Sequence, residues 1–342
     1  MNKKQDRKKQ HDTSNVLWDI IAGAIGYRAV FVAYELGLFE LLGQQPRSLT
    51  EVSELLNIAE RPTEALLLAN LSLELLQRND DLYALTETAE HYLLKESSTY
   101  FGGIFDMITH NPFSTSVESL KDAVLSNSPQ TYGGNDIFLA HEEQIEQAKA
   151  FTRGMHSISV EPAFFWPDLV DLSDCHCLLD VGGGSGAHAI GALNRWSHLM
   201  AIVYDIKPVC EVAEEHIQKY QLQKRMSIHP GDMWKSPYPS ADIHFYSQIF
   251  HDWPIEKCRF LAQKSFESLP DKGKIIIHEI LYHNDKSGPF IAAASSVAML
   301  VWSEGQQFSG LELTEILSET GFINIDVTPS SGYWSIVSGE KP

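Results

Sequence analysis

The chain has 342 residues, 44% of them hydrophobic and 21% charged, which suits a globular protein of one large or two ordinary domains. Its formal net charge of −19 argues against nucleic acid as the main partner, because phosphate binding needs a basic surface. Four cysteines make no disulfide framework and no apolar run is seen to approach the ~18 residues of a membrane span, so the expected setting is a reducing cytoplasm with no membrane partner.

The opening residues, MNKKQDRKKQHDTSN, are polar and basic with no hydrophobic core behind them. That is the make-up of a frayed tail rather than a secretory signal, and the fold is expected to start near Val16. Residues 16–42, VLWDIIAGAIGYRAVFVAYELGLFELL, carry apolar residues at helical spacing and predict a helix ending at Gly43. A helix this apolar needs a cover, and a second subunit is the expected one. Residues 47–94 then read as a helix capped by Ser48 or Thr50, a second helix, a turn at Asn79–Asp80–Asp81, a short strand and a further helix.

Helix, helix, wing is the order of a winged-helix domain. A DNA-binding role for it is disfavoured by its charges. Arg47, Arg61, Arg78 and Lys95 are set against ten acidic residues between positions 47 and 96. The would-be recognition helix, 61–77, presents leucines where base reading needs Arg, Lys, Asn or Gln. A scaffold for dimerisation, walling a pocket, fits better. Residues 100–170 read as helical, with breaks at Asn111–Pro112 and Tyr132–Gly133–Gly134.

From Cys177 onward strands and helices alternate: CLLDV, MAIVYDI, RMSIHPGDMW, ADIHFYSQIF and GKIIIHEIL carry strands, separated by helical stretches. Helices over 289–302 and 310–320 precede two final strands, INIDVTP and YWSIVSGEK, joined by a Ser–Ser–Gly turn. The pattern predicts an α/β fold, a doubly wound (Rossmann-like) parallel sheet whose closing hairpin supplies one antiparallel last strand. Cys175 and Cys177 flank His176, but no second Cys/His pair stands at zinc spacing, so strand packing of reduced thiols is expected and no metal.

The stretch LLDVGGGSGAHA, residues 178–189, places a glycine turn between a strand and a helix N-terminus. Gly182, Gly184 and Ala187 satisfy G-x-G-x-x-A, so on the turn alone a dinucleotide and NAD-linked chemistry stay open. Three carboxylates extend the pattern. Asp180 precedes the turn, where it suits a ligand's ammonium group. Asp205 ends the next strand, 25 residues on, where it suits a ribose diol. Asp232 and Met233 follow the third, where a carboxylate and a thioether suit an adenine.

The series LLDVGGGSGAHA, VYDI, GDMW and FHDWPIEKC, with ELGLFELL and FTRGM before it, resembles the S-adenosylmethionine-dependent small-molecule O-methyltransferases of the plant type and their bacterial members. The resemblance covers nearly the whole chain. It implies a seven-stranded methyltransferase sheet, S-adenosyl-L-methionine as cofactor, and a homodimer with interlocked N-terminal helices closing the active sites. The expected division is a tail over 1–15, a winged-helix-like dimerisation domain over 16–105, a helical connector and pocket wall over 106–170, and the cofactor-binding catalytic domain over 171–342.

The resemblance carries over residue by residue. His251, in His–Asp–Trp at the end of the fourth strand, matches the family's general base, and a ring near its ordinary pKa of ~6.5 suits removal of a hydroxyl proton at neutral pH. Glu279 matches the glutamate that orients it. Asp252 either helps position the base or caps the helix starting at Pro254. Two departures stand out. Plant members have a second glutamate where EGQQFSG puts Phe308, and a lysine read as an adenine contact is Ser247 here.

The acceptor, a flat and partly apolar small molecule, is expected among Phe151, Met155, His156, Met299 and Trp302, although helical core packing accounts equally for the last two. O-methylation of a phenol or enol in secondary metabolism leads. C-methylation beside an α-keto group, with His251, His278 and His283 weighed as metal ligands, is the alternative, and alternation turns His278 away from Glu279. A cofactor-binding protein without chemistry is disfavoured by the intact His251 and Glu279.

Overall fold

The computed structural model describes residues 14–131 and 144–342. Nearly all of the expected tail and the expected break at Tyr132–Gly133–Gly134 lie outside the described residues. The chain divides into two compact units between Phe105 and Asp106.

In the first unit, helix α1 spans Asn15–Glu35 and α2 spans Leu38–Gln44. The single helix expected over 16–42 is thus broken. Gly37 takes a left-handed conformation (φ 76°), which side chains avoid, and the second piece runs past Gly43. Helix α1, 21 residues long, is long and apolar enough to cross a membrane by length and composition, which corrects the expectation that no run reaches that size. Only Ala33 of α1 is buried, while Trp18 is 66% and Ile25 62% exposed.

The winged-helix elements follow: β1 (Arg47–Ser48), α3 (Leu49–Leu56), α4 (Glu60–Ser72), β2 (Leu76–Asn79), β3 (Leu82–Leu85) and α5 (Glu87–Leu93). The strands pair antiparallel in the order β1-β3-β2. Ser48, not Thr50, caps α3: its hydroxyl accepts the Glu51 N–H, and the Glu51 carboxylate accepts the Ser48 N–H at 2.8 Å. Leu38, Phe39, Val52, Leu67, Leu76 and Tyr83 fill the core beneath.

The remaining elements are α6 (Gly103–His110), α7 (Val117–Ser126), α8 (Ile145–Ala163), β4 (Cys177–Val181), α9 (Ala187–Arg195), β5 (Met200–Asp205), α10 (Lys207–Lys219), β6 (Met226–Pro230), β7 (Ile243–Ser247), α11 (Ile255–Ser268), β8 (Lys274–Ile280), α12 (Phe290–Trp302), α13 (Gly310–Thr320), β9 (Ile323–Pro329) and β10 (Trp334–Glu340). The seven strands run β6-β5-β4-β7-β8-β10-β9. Pairing is parallel from β6 to β8, and β10 lies antiparallel between β8 and β9.

Alternation along each strand divides the core in two. Leu178, Phe245, Ile276 and Ile336 point to one face, and Leu179, Tyr246, Ile277 and Val337 to the other. Strand order reverses between β4 and β7, so the crevice at their carboxyl ends is where an open α/β sheet takes its ligand.

On the first of those faces His188 and His278 are buried, and none of their ring nitrogens has a hydrogen-bond partner. Burial pushes His188 and His244 down to about 3. It also takes His156, helped by the neighbouring His216, to about 3, and His216 to about 4. These rings stay neutral when folded but protonate below about 6.5 when unfolded. Their stabilisation is complete above that value and drains away as pH falls toward about 3. Burial raises Asp180 to about 7 and Asp205 to about 6, and neighbouring carboxylates raise His251 to about 9; these three work the opposite way, but the four depressed rings outweigh them. The melting temperature of the ligand-free protein should therefore be lower at pH 5 than at pH 7. Equal or higher melting at pH 5 in a scanning calorimeter would contradict this balance.

Candidate active site

The site is assembled along the carboxyl edge of the sheet. Strand β4 delivers Asp180 and then the turn Gly182–Gly186, which opens α9. Gly182, Gly184 and Gly186 all adopt positive φ. A Cβ on Gly182 would come within 2.3 Å of Ile249, whereas one on Gly184 would meet nothing within 4 Å. The turn is therefore packed tightly from below and open above. Asp180 is 1% exposed, its Oδ2 has no partner, and burial pushes its carboxyl up to about 7. A buried carboxylate with one oxygen left without a partner, beside an open cradle, suits a ligand with a cationic amino group.

Asp205, at the end of β5, holds the turn in shape. Its Oδ2 accepts the Gly184 N–H at 2.9 Å, and its Oδ1 accepts the Ile206 N–H at 2.7 Å. Asp232 is anchored as a turn residue. Its Oδ1 accepts the Trp234 N–H at 2.8 Å, and its Oδ2 pairs with Lys235 at 2.9 Å. Each oxygen keeps a further lone pair for a ligand. Met233 packs against the hydrophobic core on the α11 side. The Ser247 hydroxyl donates to the His278 carbonyl at 3.2 Å, so it is engaged with β8.

Beyond β7 the chain turns through Gln248, a non-glycine residue at φ 54°, into a short 3-10 helix, Phe250–Asp252. Glu279, at the end of β8 and 2% exposed, organises this corner. Its Oε1 accepts the N–H groups of Ile249 and Phe250, both at 3.1 Å. Its Oε2 lies 3.1 Å from Nδ1 of His251. Asp252 Oδ1 is 3.7 Å from Nε2 of the same ring. The N-cap of α11 is Pro254, which has no side-chain cap of its own, and Asp252 stands beside the ring of His251.

Burial opposes charge on His251, but the carboxylates of Glu279 and Asp252 outweigh it and raise the ring to about 9. That corrects the expectation of an ordinary histidine pKa. Gly305 packs against this corner from the far side: a Cβ there would lie 2.0 Å from the His251 carbonyl oxygen.

One residue at the site was missed. Gln307, 1% exposed, places its side-chain amide 2.7 Å from Nδ1 of His251. Phe308, expected where plant relatives carry the second glutamate, is 2% exposed in the hydrophobic core. The segment runs beside the end of β8, with the Tyr282 N–H donating to the Phe308 carbonyl at 2.9 Å. In such an extended segment neighbouring side chains point to opposite sides, and a slip of one residue exchanges core for site. The legible signal was that pairing of an apolar with a polar side chain, Gln307 then Phe308.

The expected acceptor pocket is only partly assembled. The rings of Phe151 on α8 and Trp302 on α12 lie 5.9 Å apart. Met155 and Met299 are partly buried on the same two helices. His156 instead faces the glycine turn: its Nδ1 is 2.7 Å from the Ser185 hydroxyl and its ring stacks on His216 at 3.9 Å. The hydroxyl of the turn and the ring on α10 hold it there. His278 lies on the opposite face from Glu279, against His188 and Trp334. Among the described residues no three His, Cys, Asp or Glu side chains converge as metal ligands.

A seven-stranded sheet of this order, with a histidine–carboxylate pair beside a glycine turn, defines the methyltransferase class. The O-methyltransferase domain model matches residues 117–323, and the O-methyltransferase dimerisation domain model matches residues 18–95. The chain belongs to the O-methyltransferase family, enzymes that take their methyl group from S-adenosylmethionine. It is 32% identical over 329 residues to a 3-hydroxy-5-methyl-1-naphthoate 3-O-methyltransferase of Streptomyces sahachiroi, covering 95% of each chain. It is 30% identical over 353 residues to the acetylserotonin O-methyltransferase of Gallus gallus, covering 98% of this chain and 100% of that one. The crystal structure of human N-acetylserotonin methyltransferase in complex with S-adenosylmethionine shares the fold, with a TM-score of 0.83 at 24% identity over 100% of this chain and 99% of that one.

Proposed function

We propose that this enzyme methylates a phenol or enol hydroxyl of a flat, partly apolar small molecule in secondary metabolism, with His251 as general base. S-adenosylmethionine supplies an electrophilic methyl group on a cationic sulfur. The rest falls to the chain's own side chains. Asp180 is suited to the cofactor's ammonium group, Asp205 to its ribose, and Asp232, Met233 and Ser247 to its adenine end, with Gly182 and Gly184 letting the backbone approach.

His251 takes the hydroxyl proton at Nε2 as the acceptor oxygen becomes a nucleophile. Glu279 balances the charge that the ring acquires, and Asp252 stands near enough to assist. Phe151 and Trp302, with Met155 and Met299, supply an apolar wall for a ring. The observation that carries this reading is the buried His251–Glu279 pair, 3.1 Å apart at the carboxyl edge of the sheet.

The working form in this reading is a homodimer joined through the N-terminal helices. The dimerisation-domain match and the exposed apolar face of α1 support it. The four cysteines are unpaired, which fits the cytoplasm.

The test is calorimetric titration with S-adenosylmethionine, S-adenosylhomocysteine and NAD, followed by a screen of phenols and enols. Adenosyl ligands should bind, NAD should not, and the product should carry the methyl group on oxygen. NAD binding alone, or methyl recovered on carbon, would overturn the proposal.

A further inference from the structure

The base is held by two unlike groups. Glu279 Oε2 is 3.1 Å from Nδ1 of His251, yet it is not aligned as a hydrogen-bond acceptor. The aligned contact is the side-chain amide of Gln307, at 2.7 Å. Gln307 is itself fixed: its backbone N–H donates to the Ser296 hydroxyl of α12 at 3.3 Å, and the next residue, Phe308, is locked in the core.

The two ends of a glutamine amide have the same shape, so chemistry chooses between them. With the NH2 end against Nδ1, the neutral ring would carry its proton on Nε2, where a base needs a lone pair. The charged ring would set donor against donor, and the amide oxygen would stay buried with no donor to accept from. With the oxygen end against Nδ1, all three conflicts disappear.

We infer that Gln307 is a positioning residue of the methyl transfer: its amide oxygen accepts the Nδ1–H of His251 and so holds the neutral ring with its Nε2 lone pair free. This rests on the reading of His251 as the base. Glu279 supplies charge and Gln307 supplies direction. Being neutral, Gln307 sets the tautomer without adding a third carboxylate at the ring.

The experiment is NMR of ring-15N histidine in the ligand-free protein, with His251 assigned from its loss in His251→Gln. The wild type should show the Nδ1–H tautomer once His251 is neutral. Gln307→Glu should raise its titration midpoint by about one pH unit, because an opposite charge is added beside the ring. Gln307→Leu should lower the midpoint and mix the tautomers. Where the acceptor is known, kcat on the high-pH plateau should drop with Leu and be largely retained with Glu, with KM for the cofactor steady in both.

An Nε2–H tautomer in the wild type would overturn the inference, as would midpoints in both variants that superimpose on the wild type. Should Gln307→Leu fail to fold, the near-isosteric Gln307→Glu decides alone, its fold checked by S-adenosylhomocysteine binding, and no shift there counts against Gln307. These readouts need no turnover. They can fail while His251 remains the base, and the base assignment can fail in the turnover of His251→Ala while they hold.

Discussion

Replacing His251 with alanine is expected to cut methyl transfer by roughly 10²–10⁴-fold, the usual contribution of a positioned general base, while S-adenosylhomocysteine binds within a few-fold of wild type. The two effects separate because the ring stands on the 3-10 helix after β7, whereas Asp180 stands near the end of β4 and the glycine turn follows it. Raised to about 9, the ring is mostly protonated at neutral pH in the free enzyme. A base must be neutral to act. In the wild type kcat/KM should therefore climb as pH rises from 7 toward 9 and level off only above that, since this ratio reports the free enzyme's groups. Turnover measured across pH 6–10 checks both expectations. Near-wild-type turnover in the alanine variant would remove His251 from the role of base, and a rate already flat at pH 7 would mean that its carboxylate neighbours do not raise the ring.

The second large effect is expected at Asp205. Its exchange for alanine should weaken S-adenosylhomocysteine binding by roughly 10–100-fold, the loss of one or two charge-assisted hydrogen bonds. The same carboxylate also accepts the N–H groups of Gly184 and Ile206, so removing it loosens the cradle as well as the proposed ribose contact. Asp205→Asn separates these contributions, because its amide keeps one acceptor oxygen for the turn. It should fall between wild type and alanine. Titration calorimetry gives the answer directly, and unchanged affinity in the alanine variant would mean that the ribose is not held at Asp205.

The order of strands and helices in the second unit was legible because each element carries its own period. Ile275–Ile276–Ile277 and Leu178–Leu179 are buried on both sides and read as continuous apolar strands. Helices such as α13 announce themselves by a cap, here Ser309 with Glu312. Asp180, Asp205, Asp232, His251 and Glu279 were legible for a related reason. Each sits at or just beyond the carboxyl end of its strand, and in a doubly wound sheet those ends share one edge. Helix α1 was legible in type but not in extent, because the left-handed turn at Gly37 is a single-residue event that periodicity does not register.

The sequence by itself thus determined what depends on local pattern: the α/β alternation, the winged-helix order, the glycine turn and the histidine–glutamate pair. Only the tertiary structure decided which way single side chains face once segments far apart in the chain meet. Gln307 rather than Phe308 reaches His251, 56 positions away in the chain, because a segment docked beside β8 has one register and no local period to reveal it. His156 turns to Ser185, and His251 rises to about 9, for the same kind of reason. Orientation, partner and electrostatic setting are properties of neighbours in space, and a linear order of residues names those neighbours only after the fold has brought them together.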